Sequence, residues 1–265
     1  SAALAFTEYD ISFAPKFIAL QNFKEMAQDE LFWKSLGNTA FYTALYVPLH
    51  LAVALGVALA LNVKLRGIGI FRTAFYIPSI TPTVASAFLW MWLFNPDYGL
   101  ANALLGLVGL PPSKWLFDEA MAKPSLILMA LWAFGTAMLI FLADLQQVPE
   151  SLYEAASIDG ASARQRCVRI TLPMITPVIF FNTVVSIIAS FQIFTVAYVI
   201  TNGTGSPNNA TMFYVLYLYN QGFQYLHMGY ASAMAWVLFA IIMLFTLVQL
   251  GLAKRWVYYE AQTGA

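Results

Sequence analysis

Between Val148 and Pro173 the chain reads Val-Pro-Glu-Ser-Leu-Tyr-Glu-Ala-Ala-Ser-Ile-Asp-Gly-Ala-Ser-Ala-Arg-Gln-Arg-Cys-Val-Arg-Ile-Thr-Leu-Pro. The chemistry these residues offer is docking, not catalysis. Ser151 and Glu154 stand at capping-box spacing, and Ser162 and Gln165 repeat it. Pro149 suits the first turn of a helix. Two short helices are therefore predicted, joined at Asp159-Gly160, where glycine can take the positive φ of a sharp reversal. Ala155 and Ala156 thin one face of the first helix beside the Glu154 carboxylate, so another protein's backbone can approach closely. Leu172 and Pro173 end the second helix and open the next apolar run. A compact helix-turn-helix of this kind fits a groove on a partner; an ordinary capped connector would carry the same caps.

A second set of polar residues lies within apolar runs, where facing lipid would be costly. Asn182, Ser186 and Ser190 fall at i, i+4 and i+8, one helical stripe flanked by Ala189 and Ile193. Trp132 and Thr136 make a similar pair, and an indole face suits stacking on a sugar ring. Either group could line a solute path; stripes of Ser and Asn also bond helix to helix, and an interior Trp also packs. His50 sits two residues after Pro48. It is open to two roles: a proton relay, or a neutral imidazole bonded to backbone freed by the proline. No Gly-x-x-x-x-Gly-Lys-Ser/Thr run occurs and Gly67-Ile-Gly69 is too short, so no phosphate-cradling loop is expected. The single Cys167 allows no intrachain disulfide, and no Cys/His cluster has metal spacing. No acids, His or Cys converge within a span, so neither a catalytic site nor a cofactor or metal site is expected in this chain.

These residues need apolar elements to hold them. Hydrophobic residues make up 60% of the 265 and charged residues 10%, where a soluble domain carries about 25% charge. No Asp, Glu, Lys or Arg occurs between Arg169 and Lys254. The solvent for such a run is lipid. Spans of about 20 apolar residues are read at about Leu36–Asn62, Thr73–Asn95, Pro124–Ala143, Leu172–Ile200 and Met228–Ala253, the last two separated by the turn-rich Asn202–Asn209. The fold class is all-α, a polytopic membrane helix bundle with five spans here. The loops at 63–72, 144–171 and 254–265 hold eight of the thirteen basic residues (Lys64, Arg66, Arg72, Arg164, Arg166, Arg169, Lys254 and Arg255) against five acids, Asp144, Glu150, Glu154, Asp159 and Glu260. By the positive-inside rule that side is cytoplasmic, and the C-terminus with it. Residues 1–35 then form an extracytoplasmic lead-in, best explained by a missing first helix that would make six in the whole protein. Residues 36–265 form the transmembrane domain. Zero net charge gives no pointer to nucleic acid.

Glu154-Ala-Ala, Gly160 and Ile170-Thr-Leu-Pro173 closely resemble the EAA loop of permease subunits in binding-protein-dependent ABC importers. The flanking chain resembles the carbohydrate-uptake branch, the maltose and glycerol-3-phosphate type. The likeness runs through Phe17–Phe23, Asn38-Thr39, Phe94-Asn-Pro96 with Gly99 and Asn102, Leu142–Gln146, Phe191–Phe194, Thr201–Gly203 and Met228–Ala233. Three positions depart from it. Cys167 stands where the family usually has a bulky aromatic, Asp144 replaces a small residue, and Asn202–Pro207 loosens a Gly-Gly-Pro turn. The resemblance implies a type I ABC importer permease fold in a bacterial or archaeal inner membrane. It implies a second homologous permease, two ATP-binding cassette subunits that bind ATP and Mg, and an extracytoplasmic solute-binding protein received by the 96–123 and 201–227 loops. It also implies that the 150–166 helices act as levers, with Glu154, Ala155, Ala156, Asp159, Gly160, Leu172 and Pro173 as the coupling residues. In maltose-type permeases the stretch corresponding to Asn182–Ile193 faces the sugar. An ion-coupled secondary transporter is the competing reading; such proteins bury several ionisable groups at mid-membrane, and here only His50 lies there.

Overall fold

The computed structural model describes residues 2–10, 14–63 and 65–258. It is mostly helical. Among the described residues three helical stretches are long and apolar enough to cross a membrane: Glu30–Leu61, Thr176–Thr201 and Met228–Trp256. Glu119–Leu131 and Gly135–Leu145 pass that test as a pair, and Ile68–Ile80 and Thr83–Leu93 are shorter apolar helices. The expected runs at 73–95 and 124–143 are therefore each two helices. The first breaks at Thr81-Pro82: Pro82 disfavours helical geometry at the residue before it, and the chain restarts with Pro82 as N-cap of the next helix. The only strands among the described residues are Thr7–Glu8 and Lys16–Phe17, paired antiparallel, a small departure from an all-helical chain. Lys64 and Glu260, used in the charge count, lie outside the described residues.

Large apolar side chains stay uncovered along these helices, with Ile70 75% and Leu244 62% exposed. A surface of this kind belongs in lipid, where apolar exposure costs nothing. Lipid also removes the hydrophobic drive for helices to associate, so close contact depends on small residues.

The contacts divide the chain into two compact units. The first comprises residues 1–46, 81–129 and 187–245. Its interior is aromatic: Phe32 meets Tyr214 edge-on at 5.6 Å and Tyr42 meets Phe213 at 5.4 Å. Asn38 and Thr39 hold the loop before Tyr214–Tyr219 by its backbone. Asn38 Nδ2 donates to the Asn209 and Met212 carbonyls, and the Tyr214 N–H donates to Thr39 Oγ1 at 2.9 Å. Lys123 Nζ donates to Asn38 Oδ1 at 2.9 Å, which completes the amide's bonding. Asn102 does the same for the 96–115 loop. It donates to the Pro96 and Ser113 carbonyls and accepts from the Ser113 N–H and Trp115 Nε1, while Trp115 stacks on Phe94 at 4.8 Å.

Asp29 anchors the start of the Glu30–Leu61 helix. Its Oδ1 accepts from the Leu31 and Phe32 N–H groups, an N-cap arrangement. Its Oδ2 accepts from the Tyr217 hydroxyl at 2.5 Å and the Tyr230 hydroxyl at 2.7 Å. Burial pushes the carboxyl up, but the two tyrosine hydroxyls and two backbone N–H groups outweigh it and hold it below its ordinary 3.8. A carboxyl depressed in the folded state contributes stability above 3.8 that is lost as pH falls through its folded value. Asp29→Asn should therefore lower stability at pH 7 by about 2 kcal/mol. The gap from wild type should narrow as the pH falls below 3.8. Melting midpoints in detergent at a series of pH values check this; a gap independent of pH would refute it.

The second unit comprises residues 47–80, 130–186 and 246–265. Its core joins Ala54, Ala58 and Leu61 to Ala137, Met138, Phe141, Leu142, Leu145 and Ile175. The alanines are the small contacts that packing within lipid demands. His50 is buried in this unit.

Candidate functional site

The Val148–Pro173 segment belongs to the second unit. Its first helix is Glu150–Ile158. Pro149 is the extended N-cap residue and not part of the first turn, and no side chain caps this end. The expected Ser151–Glu154 box does not form. Starting at Glu150 places Ser151 inside the first turn, two positions past the N-cap from which a hydroxyl reaches the free N–H groups. The second box forms as read. Gln165 N–H donates to Ser162 Oγ at 3.3 Å, and Ser162 N–H donates to Gln165 Oε1 at 2.7 Å, which opens the helix Ala163–Arg166. Gly160 turns the chain at φ +73°. The Ala161 N–H closes the first helix on the Ala156 carbonyl at 2.9 Å.

This arrangement presents a set of uncovered side chains. Glu154, Ala155, Asp159 and Gly160 are exposed and Ala156 is half-buried. Leu152, Val168 and above all Ile158, at 86% exposed, add apolar surface beside them. The polar reading of the loop passed over these three. Ile158 is the residue just before Asp159-Gly160, so the turn itself carries it outward.

A π-helical turn, Cys167–Thr171, comes next and runs into Leu172–Met174. The Leu172 N–H reaches back to the Cys167 carbonyl, the i to i+5 bond of that geometry. Such turns concentrate at functional positions. Two side-chain bonds tie the first helix to the residues beyond the Gly160 turn. Tyr153 Oη and Thr171 Oγ1 are 2.9 Å apart, and Arg166 Nη1 donates to Ser157 Oγ at 3.0 Å. Cys167 is half-buried.

The polar stripe stands on the Thr176–Phe191 helix, with Asn182, Ser186 and Ser190 all buried. Asn182 Nδ2 donates to the Val178 carbonyl and Ser190 Oγ to the Ile187 carbonyl, so both satisfy donors on their own helix. Ile193 lies beyond that helix, in the break before Thr195–Thr201. Trp132 and Thr136 do not share one helix: Trp132 falls in the break after Leu131, and Thr136, on Gly135–Leu145, is exposed. Spacing by four pairs residues only while the helix is unbroken, and this one is not. Asp144 is half-buried near the end of Gly135–Leu145.

No group of three or more His, Cys, Asp or Glu among the described residues could hold a metal ion. The first unit has a polar hollow of about 470 Å³ lined by Glu8, Asp10, Glu25, Asp29, His227 and Tyr230 among others. The second has a cavity of about 850 Å³ beside the loop, lined by Leu59, Arg72, Gln146, Tyr153 and Thr171 among others.

The chain is similar along nearly all its length to known permeases. It is 48% identical to the Bacillus subtilis protein named "Probable ABC transporter permease protein YesP", over 99% of this chain and 85% of that one. It is 36% identical to the lactose transport system permease protein LacF of Rhizobium radiobacter, over 91% and 82%. To the trehalose/maltose transport system permease protein MalF of Thermococcus litoralis it is 34% identical, over 92% and 83%. Its fold is shared with a chain of the bacterial alginate ABC transporter crystallised with a pentasaccharide-bound periplasmic protein. There the TM-score is 0.78 at 23% identity, covering 90% of this chain and 83% of that one. Residues 52–258, which include the entire helix-turn-helix and its π turn, match the family of binding-protein-dependent transport system inner membrane components, and the chain belongs to that family.

Proposed function

We propose that this chain is the permease subunit of an ATP-driven importer and forms half of the path for a sugar or sugar-like solute. The observation that carries the reading is the Glu150–Arg166 helix-turn-helix, which leaves Glu154, Ile158 and Gly160 uncovered on a capped, sharply turned frame. A monomer gains nothing from exposing Ile158 on a charged loop; a groove on a partner would cover it. In this reading the partners are two ATP-binding cassette subunits, a second homologous permease and an extracytoplasmic solute-binding protein. Glu154 meets a basic side chain of the ATPase, and Gly160 holds the turn that enters its groove. Relatives named for lactose and for trehalose and maltose support the solute class.

In this reading the chain crosses the inner membrane five times: the three long helices and the bent pair Glu119–Leu131 with Gly135–Leu145 are four apolar spans, and the reading takes the shorter apolar helices Ile68–Ile80 and Thr83–Leu93 together as the fifth. The segments with Arg66, Arg164, Arg166 and Arg169 face the cytoplasm, as do Arg72 in the first turns of the helix Ile68–Ile80, which begins inside the expected 63–72 loop, and Lys254-Arg255 at the end of the last helix. Asn182, Ser186, Ser190 and Ile193 line the solute path, with Trp132 and Thr136 as lesser contributors.

Uptake into proteoliposomes tests the proposal. Transport by the complex purified with its ATPase and binding protein should require ATP and persist with a proton uncoupler. Uptake that collapses with the uncoupler, or continues without the ATPase, would replace this reading with ion-coupled transport. The binding protein that co-purifies, and the solute it retains, identifies the substrate.

A further inference from the structure

The coupling helix Glu150–Ile158 has an unusual setting. On one side it borders the cavity of about 850 Å³ whose other walls include Leu59, Asn62, Arg72, Leu145 and Gln146. Close-packed interiors transmit displacement because their atoms cannot give way; an open cleft with no protein side chain across it does not. Movement of this helix toward the cavity therefore meets little resistance from packing. Its mechanical connection to the rest of the unit must run through discrete contacts.

One such contact is buried at its far end. The Tyr153 hydroxyl lies 2.9 Å from Thr171 Oγ1, across eighteen residues of sequence. Thr171 is 5% exposed and is the last residue of the π turn, and its Oγ1 also stands 3.4 Å from the Arg166 carbonyl. Both residues line the cavity. Beyond Thr171 come Leu172–Met174 and then the span that starts at Thr176. A second contact, Arg166 to Ser157, is exposed and joins the two short helices to each other, not to the span.

We propose that Tyr153 and Thr171 form the strut through which movement of the coupling helix reaches the base of the Thr176–Phe191 span, with the cavity as the space into which the helix swings. Both are positioning residues. The inference rests on the reading of the 150–166 helices as the ATPase-coupled lever. The π turn suits the receiving end, since its extra residue per turn leaves backbone bonds that can shift register without unfolding the segment.

The test uses the complete complex, with partner permease, ATPases and solute-loaded binding protein, in proteoliposomes, reading ATP hydrolysed per solute imported. Tyr153→Phe and Thr171→Val each remove one side of the hydrogen bond and little volume. Each should raise the ATP cost per solute by about fivefold, in line with a lost buried hydrogen bond, while basal ATPase activity stays within about twofold. Thr171→Ser keeps the hydroxyl and should restore the wild-type ratio. The double variant should be no worse than either single one. Wild-type stoichiometry in both single variants, additive losses in the double variant, or failure of Thr171→Ser to restore the ratio would overturn the strut. Co-purification of all subunits separates misassembly from a coupling defect, and Thr171→Ser with Tyr153→Phe decides between the outcomes if Thr171→Val does not assemble. Gly160→Asp separates the two readings. If it too imports solute normally, the lever reading has failed; if it uncouples while Tyr153→Phe and Thr171→Val do not, only the strut has failed.

Discussion

Gly160→Asp should abolish most solute uptake while leaving this chain folded, because the substitution damages a surface and not a core. Gly160 turns at φ +73°, and a side chain placed there would meet nothing within 4 Å. The folding cost is therefore only the backbone penalty of the left-handed region, about 1–2 kcal/mol for an L residue and less for Asp, which tolerates that region better than most. A loss of that size is small against the stability of a folded chain. Docking is a different matter. The new carboxylate would stand next to Asp159 at the tip of the turn, on the surface proposed to enter the ATPase groove. An unpaired charge buried there costs several kcal/mol, and about 3 kcal/mol is already more than a hundredfold in affinity. The docking term wins. Coupled uptake should fall by about two orders of magnitude, with ATP hydrolysis no longer responding to loaded binding protein. Gly160→Ala serves as the comparison, since it adds the backbone penalty without the charge and should retain most uptake. Parallel assays of hydrolysis and uptake read the difference, and wild-type transport by Gly160→Asp would remove the coupling role.

Features with local causes are legible in the sequence. Ser162 and Gln165 cap their helix because four residues suffice to close that box, and Gly160 takes a positive φ because the turn demands it locally. Ser151 and Glu154 have the same spacing and make no box, because helix phase decides capping and the chain starts its helix two residues early, behind Pro149. The apolar runs are legible as composition, yet their breaks are not. An apolar stretch reads alike whether continuous or interrupted, so Trp132–Phe134 and Gln192–Phe194 give no clear signal of the break each contains.

Contacts between distant residues are beyond that reach. Asp29 reads as one acid in a charged lead-in, and only the fold brings Tyr217 and Tyr230 to it. Tyr153 flanks the motif residues and Thr171 lies within Ile170-Thr-Leu-Pro173, but neither belongs to the pattern of caps and small residues, and their meeting depends on a π turn that no sequence period announces. Asn38, Thr39 and Asn102 are an intermediate case. They stand out by family likeness, but the reason for their identity appears only in the backbone groups they hold.

Gly135 is where the fold itself should be most vulnerable. It opens the helix Gly135–Leu145, and its backbone lies directly against the helix Ile68–Ile80. A Cβ there would fall 2.6 Å from the Phe75 carbonyl oxygen, 2.7 Å from Tyr76 Cα and 2.8 Å from Ser79 Oγ. The first two are backbone atoms and cannot swing aside, so the helices would have to separate. In lipid no hydrophobic gain compensates for lost helix contact; close approach over small residues is most of what holds such a pair together. Overpacking of this kind costs about 1–3 kcal/mol for added methylenes, and β-branched Val against fixed backbone belongs at or above the top of that range. Gly135→Val should therefore lower the melting midpoint in detergent by about 10 °C, and Gly135→Ala by about half as much. Gly56 supplies the matched comparison. It lies inside the helix Glu30–Leu61 with nothing within 4 Å of the Cβ position. Gly56→Ala should be neutral or stabilising by about 0.5–1 kcal/mol, since alanine restricts the unfolded chain and favours helix. The sign of the difference between the two alanine variants decides the matter. If Gly135→Ala melts at or above Gly56→Ala, the two helices do not depend on the close approach that Gly135 allows.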